Sequence, residues 1–95
     1  MNQSELNNNL YYTSDLSLAT TISLFFPIEE IDRSSNPHKA FFIFQKTPEL
    51  EKLIDQYFRN EIKISPQVYF NQLRVIKARL YANEWLWSIE IYYWN

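Results

Sequence analysis

The stretch KAFFIFQKTPELEKLIDQYF, residues 39–58, contains the strongest strand signal in the chain and, directly after it, a helix signal. Side chains alternate between the two faces of a strand, so Phe42 and Phe44 point one way while Phe41 and Ile43 point the other. Apolar side chains on both faces are typical of a strand that is covered on both sides. The stretch therefore predicts a buried strand followed by a helix.

The helix signal begins at Thr47, whose hydroxyl suits a helix cap, and Pro48 suits the first helical position. The apolar side chains that follow recur at helical spacing: Leu50, Leu53, Ile54, Tyr57 and Phe58. This pattern predicts an amphipathic helix at about 48–59.

The flanking sequence adds further elements of both kinds. Asp15 and Pro27 delimit one apolar helical pattern, and Ser65-Pro66 opens another. The turn-rich residues 33–37 separate two strand-like runs. The predicted elements are helices at about 15–26, 48–59 and 66–82, a β-hairpin near 28–46 and a C-terminal strand near 85–94.

These elements predict an α+β fold in which a small antiparallel sheet packs with three helices. The length of 95 residues fits a single domain over residues 1–95. The polar, Asn-rich residues 1–9 are expected to be flexible.

The composition excludes several kinds of reactive and binding site. The chain has no Cys and no Gly, so thiolate nucleophiles, disulfides and glycine-rich phosphate loops are excluded. Any turn with positive φ must use a residue such as Asn. The opening MNQSELNNNL has neither a basic segment nor an apolar core, and no apolar run approaches membrane-spanning length. We therefore expect a cytoplasmic protein without a membrane partner.

The third predicted helix carries a basic and aromatic strip. On a helical wheel Arg74, Lys77 and Tyr81 lie together, Phe70 lies beside them, and Arg79 lies on the opposite flank. Cations interleaved with aromatic rings suit phosphate contact and base stacking. The alternatives are a solvated helix face and the binding of an acidic protein. The candidate nucleic-acid-binding residues are Lys63, Arg74, Lys77, Arg79 and Tyr81.

The C-terminal segment WLWSIEIYYW, residues 85–94, is unusually aromatic. Large aromatic side chains are favoured anchors of protein interfaces. The candidate protein-interface residues are Trp85, Trp87, Tyr92, Tyr93 and Trp94. The alternative is that this segment closes the sheet of its own domain beside residues 41–44.

Catalytic patterns are weak. His38 is the only histidine and follows a proline at a turn. Glu29, Glu30 and Asp32 form an acidic cluster that could hold Mg²⁺. On an edge strand, however, Glu29 and Glu30 would point to opposite faces, and solvated charges there also oppose aggregation. Glu61-Ile-Lys63 matches half of a metal-dependent nuclease motif that also needs an upstream Asp at a strand end, but the nearest, Asp55, lies mid-helix on the polar face. We expect no enzyme activity, no cofactor, no metal and no small-molecule substrate.

Three stretches carry a family resemblance: YYTSDLSLA at 11–19, AFFIFQKTPELEKLIDQYF at 40–58 and FNQLRVIKARLY at 70–81. Residues 11–82 resemble a family of small uncharacterised domains of bacteria and their phages. The resemblance implies a phage or mobile-element setting and no reaction. The aromatic segment at 85–95 departs from the family pattern.

The sequence thus predicts a non-enzymatic binding protein of phage or mobile-element type. The apolar surplus, 46% hydrophobic and 18% aromatic residues, favours a protein-interaction module or an inhibitor of a host complex, with a protein partner or a second copy. The alternative is a nucleic-acid-binding accessory protein that uses the third helix.

Overall fold

The structure is a computed structural model that describes residues 9–36 and 38–81. The chain divides into two compact units, Met1–Lys63 and Ile64–Asn95. A single domain over residues 1–95 stays a prediction.

The predicted α+β fold is confirmed: the described residues form three helices and a three-stranded antiparallel sheet. The elements of the first unit are β1 (Leu10–Thr13), α1 (Leu16–Ser23), β2 (Glu30–Asp32), β3 (Phe41–Gln45) and α2 (Pro48–Phe58). The second unit contains α3 (Pro66–Leu80). The strand predicted near 85–94 and the arm at residues 1–8 lie outside the described residues.

The central strand of the sheet is β3, and the strand order is β1-β3-β2. β2 pairs with β3 in the predicted hairpin, with Ile31 opposite Phe42. β1 pairs with the other side of β3, with Tyr11 opposite Phe44. Both sides of β3 are thus occupied, so the place beside residues 41–44 that the sequence offered to the C-terminal segment is taken by β1 and β2.

β3 is buried on both of its faces. Phe42 and Phe44 are 2% and 0% exposed, and Ile43 on the opposite face is 7% exposed. The prediction of a strand covered on both faces is confirmed. The core of the first unit adds Leu18, Ala19 and Ile22 of α1 and Leu50 and Leu53 of α2.

α1 begins where predicted and ends earlier. The Asp15 carboxylate accepts hydrogen bonds from the backbone N–H groups of Ser17 and Leu18 at 3.0 and 3.2 Å. The helix ends at Ser23, not near 26, because Pro27 has no N–H to donate to the Ser23 carbonyl and its ring would clash with that carbonyl. Phe25, counted in the apolar helical pattern, is consequently exposed.

α2 divides its apolar side chains between two surroundings. The Thr47 hydroxyl accepts from the backbone N–H of Leu50 at 3.0 Å and caps the helix as predicted. Leu50 and Leu53 are buried, whereas Phe58 is 67% exposed. The five-residue apolar pattern of the sequence is therefore only partly a core pattern.

The end of α2 uses the left-handed conformation without glycine. Asn60 has φ of 62°. Its N–H donates to the carbonyl of Tyr57, and the N–H of Glu61 donates to the carbonyl of Gln56. These two hydrogen bonds form a Schellman motif, which satisfies carbonyls at the helix end. Asn serves here because its left-handed conformation is less unfavourable than that of most residues.

We expect Asn60→Ala to lower the free energy of unfolding by about 1 kcal/mol, because alanine is strained at positive φ. Asn60→Gly serves as the matched control, and we expect it to equal or exceed the wild-type stability, since glycine is unstrained there. Urea denaturation followed by circular dichroism measures both. Equal stability of the alanine and glycine variants would contradict the left-handed assignment.

Candidate functional site

A groove of about 400 Å³ lies on the first unit between β1 and α2. Tyr11 of β1 and Lys46, just after β3, line one part of it. The other lining residues come from α2: Glu51, Ile54, Asp55 and Phe58. Their spacing of i, i+3, i+4 and i+7 places them on one face of the helix. This face is distinct from the Leu50 and Leu53 positions that fill the core.

The groove has apolar walls and charges of both signs. Phe58 exposes its ring, while Tyr11 and Ile54 are half-buried. Asp55 forms an ion pair with Arg59, with 3.0 Å between Oδ2 and Nε. Within the described residues, Lys46 and Glu51 form no ion pair with each other or with another side chain. A docked molecule can therefore meet apolar surface together with one cation and one unpaired carboxylate.

Tyr11 keeps its phenol neutral in this setting. Burial raises the pKa of Tyr11 above its ordinary value of 10.0, and the nearby carboxylate of Asp15 raises it further. The Tyr11 side chain thus offers the groove a ring and a neutral hydroxyl.

The groove is a site that the sequence analysis missed. Ile54 and Phe58 were counted with the amphipathic face of the second predicted helix, because their spacing also matches a core-facing stripe. The available signal was Glu51 and Asp55, which share the i, i+3, i+4, i+7 face with them. A buried helix face rarely carries two carboxylates.

The structure does not place all the candidate nucleic-acid-binding residues on one surface. Arg74, Lys77 and Tyr81 follow one another at i, i+3 and i+7 along α3 and at its end, so they share one strip. Arg79 lies on the opposite flank. Lys63 precedes the helix and belongs to the first unit.

The basic strip combines exposed charge with an exposed ring. Arg74 and Arg79 are exposed, and Lys77 and Tyr81 are half-buried. Phe70, one turn before Arg74, is 52% exposed. The Arg74 Nη1 donates to the Asn71 side-chain oxygen at 2.8 Å. Of the apolar side chains that recur at helical spacing along α3, Ile76 is fully buried, and Tyr69, Leu73 and Leu80 are half-buried.

Asp32, the last residue of β2, has a local structural role. The Asp32 carboxylate accepts hydrogen bonds from the backbone N–H and hydroxyl groups of Ser34 and Ser35, at 2.6 to 3.3 Å. These bonds, with the Ser35 hydroxyl first, lower the pKa of Asp32 from 3.8 to about 2. Asp32 is therefore held as an anion that closes the turn after β2.

The remaining catalytic patterns stay dispersed among the described residues. His38 is exposed, and its backbone N–H donates to the Asn36 side chain at 2.8 Å. Glu61 and Lys63 are exposed in the link before α3, and Asp55 is paired with Arg59. Within residues 9–36 and 38–81, no three His, Asp or Glu side chains form a group suited to a metal ion.

Two predictions concern the remaining parts of the chain. The candidate interface residues Trp85, Trp87, Tyr92, Tyr93 and Trp94 lie outside the described residues and stay a prediction. Among the helices of the described residues, none has the length and apolar character needed to cross a membrane.

Comparison with known proteins identifies a family and little else. The family described as "Domain of unknown function (DUF5659)" matches residues 8–82. This range covers β1 to α3 and ends before the aromatic segment at 85–95. No curated protein and no solved structure matches the chain.

We expect the Asp32 carboxyl to titrate at about pH 2 in NMR spectra. Since its pKa in the folded chain lies below the ordinary 3.8, its contribution to stability is present above pH 3.8 and is lost as the pH falls towards 2. Ser35→Ala should raise this pKa more than the matched Ser34→Ala, because the Ser35 hydroxyl contributes most. An Asp32 midpoint that Mg²⁺ shifts downward would instead favour a metal site at residues 29–32.

Proposed function

The chain belongs to the DUF5659 family of domains of unknown function, and we propose that it acts by binding a protein partner, without catalysis. The observation that carries this proposal is the groove between β1 and α2, where Phe58 exposes 67% of its surface. An aromatic ring exposed beside a concave surface is the kind of group that anchors a protein interface.

The charges of the groove support a protein ligand over a nucleic acid. Glu51 and Asp55 lie among the apolar lining residues. Carboxylates repel a phosphate backbone, whereas a protein surface can offer apolar side chains together with either charge. The candidate segment at 85–94 would supply a second contact surface.

The biological setting we propose is a phage or mobile element, in which the protein acts in the cytoplasm as an interaction module or as an inhibitor of a host complex. This part of the proposal rests on the resemblance of residues 11–82 to a family of phage and bacterial domains. Genes for phage structural or recombination proteins on both sides of the coding sequence would support this setting, and a conserved housekeeping neighbourhood would contradict it.

We expect Phe58→Ser to weaken partner binding by roughly 30-fold, which corresponds to the loss of about 2 kcal/mol for one interface anchor. Phe25→Ser is the matched control, because Phe25 is also more than half exposed but does not line the groove. A photo-crosslinking residue at position 55 captures the partner from cell lysate treated with nuclease. Equal capture by both serine variants would contradict a groove-based function.

A second candidate function is nucleic-acid binding through α3. The observation that favours it is the exposure of Arg74 and Phe70 on one strip, which suits phosphate contact and base stacking. Lys77 and Tyr81 extend the same strip.

We expect this second candidate to give salt-dependent binding of a single-stranded oligonucleotide, measured by fluorescence anisotropy. Arg74→Ala combined with Lys77→Ala should abolish the binding. Arg79→Ala combined with Lys63→Ala removes the same charge away from the strip, and we expect it to retain most of the affinity. Absence of binding by the wild type at low salt would contradict this function.

A further inference from the structure

Among the described residues, no strand pairs with the outer edge of β1. The hydrogen bond from the Lys46 N–H to the Asn9 carbonyl, 3.0 Å long, identifies Asn9 and Lys46 as a hydrogen-bonded pair. Such pairs alternate along an antiparallel ladder, so Tyr11 also faces β3, while the backbone groups of Leu10 and Tyr12 point outward. No described strand lies beyond β1, and no hydrogen bond within the described residues reaches these outward groups.

The two edges of the sheet differ in their protection. β2 carries Glu30 and Asp32 and follows Glu29, and charges of this kind oppose the addition of another strand. β1 reads LYYT and has no charge and no proline. A strand edge that lacks these features is a template for pairing with another chain. The groove lies against this unprotected edge, since Tyr11 lines it.

We propose that β1 pairs antiparallel with β1 of a second copy of this chain, so that one sheet runs through both copies. Only Leu10 and Tyr12 present outward backbone groups, so the pairing must place Leu10 opposite the second copy's Tyr12. The twofold axis then passes between the two Tyr11 residues. This register exchanges about four backbone hydrogen bonds.

The groove surface fits a second copy in three respects. In a twofold interface each patch meets itself, so it must be complementary to its own charges, and Lys46 and Glu51 supply both signs without an ion pair between them. The two Tyr11 residues meet at a non-hydrogen-bonded position, where side chains come closest. Tyr11 is suited to that position because its phenol is neutral and half-buried.

This inference rests on the proposed function and names the partner at the groove as a second copy. Two competing occupants would use the same outward groups of Leu10 and Tyr12: an extended segment of a different protein, and the segment at 85–94 of the same chain. Both differ from a second copy in one measurable property, because only a second copy changes the mass of the purified chain.

The first test compares Tyr12→Pro with Tyr12→Thr. Proline at position 12 removes an outward N–H and leaves the ladder with β3 unchanged. Threonine keeps the N–H and favours a strand. In sedimentation equilibrium over a hundredfold range of concentration, we expect the wild type and Tyr12→Thr to reach twice the monomer mass and Tyr12→Pro to stay monomeric. Circular dichroism checks that each variant is folded.

The second test uses the absence of cysteine from the chain. At the twofold axis the Cα atoms of a non-hydrogen-bonded pair lie about 4.5 Å apart, within disulfide range. Tyr11→Cys should therefore give a cross-linked dimer when oxidised with glutathione disulfide. Tyr12→Cys is the matched control. In the proposed register the two residues at position 12 are diagonal neighbours about 7–8 Å apart, so this variant should cross-link far less.

The outcomes separate the inference from the function. A wild type that stays monomeric at all concentrations, or equal cross-linking of the two cysteine variants, overturns the second-copy pairing. If position 55 still captures a different protein in a Phe58-dependent way, the proposed function stands and its occupant is that protein. A dimer that Tyr12→Pro dissociates and that cross-links through Tyr11→Cys supports the pairing, whether or not another protein is captured.

Discussion

The pairing of β3 on both of its sides is the constraint on which the first unit depends. An aromatic strand of this kind is unfavourable at the edge of a sheet, because its apolar side chains would remain exposed to water and half of its backbone groups would be unpaired. β1 and β2 supply the missing hydrogen bonds, and Phe42 and Phe44 are buried in the core of the first unit. The consequence is geometric: the two neighbours of β3 become the two edges of the sheet. Their different sequences therefore decide which side of the unit can accept another strand.

The elements that sequence could predict are those fixed by their own ends. Asp15, Thr47 and Ser65 each cap the helix that follows through a side-chain oxygen, as their positions indicated. Asn60 adopts the positive φ that a chain without glycine must assign to such a residue. In each case one residue and its nearest neighbours contain the information. Capping and turn chemistry are local, so they are visible without knowledge of the fold.

The parts that sequence could not predict depend on contacts between distant residues. The sequence of Leu10–Thr13 is compatible with a short strand or with an irregular segment before the first helix. Only its pairing with β3 makes it an edge strand of the sheet. Ile54 and Phe58 satisfy the spacing of a core helix, but the buried residues of α2 are Leu50 and Leu53. α2 thus has more apolar positions than the core of the first unit buries, and the surplus residues line the groove. Such a surplus is a property of the assembled unit and has no signature in one helix alone.

The carboxylates of the described residues are used in ways that fit the binding role that we propose. A general acid or base needs a pKa close to the working pH, which usually requires a carboxyl group whose pKa is raised by burial. The pKa of Asp32 is instead lowered by hydrogen bonds from the hydroxyl and amide groups of its turn. Asp15 is engaged as a helix cap, and Asp55 is paired with Arg59. These acids have local partners, whereas Glu51 forms no ion pair with any described residue and lies beside exposed apolar surface in the groove. An acid in that position can discriminate between partners, because a matching cation is attracted and a like charge is repelled.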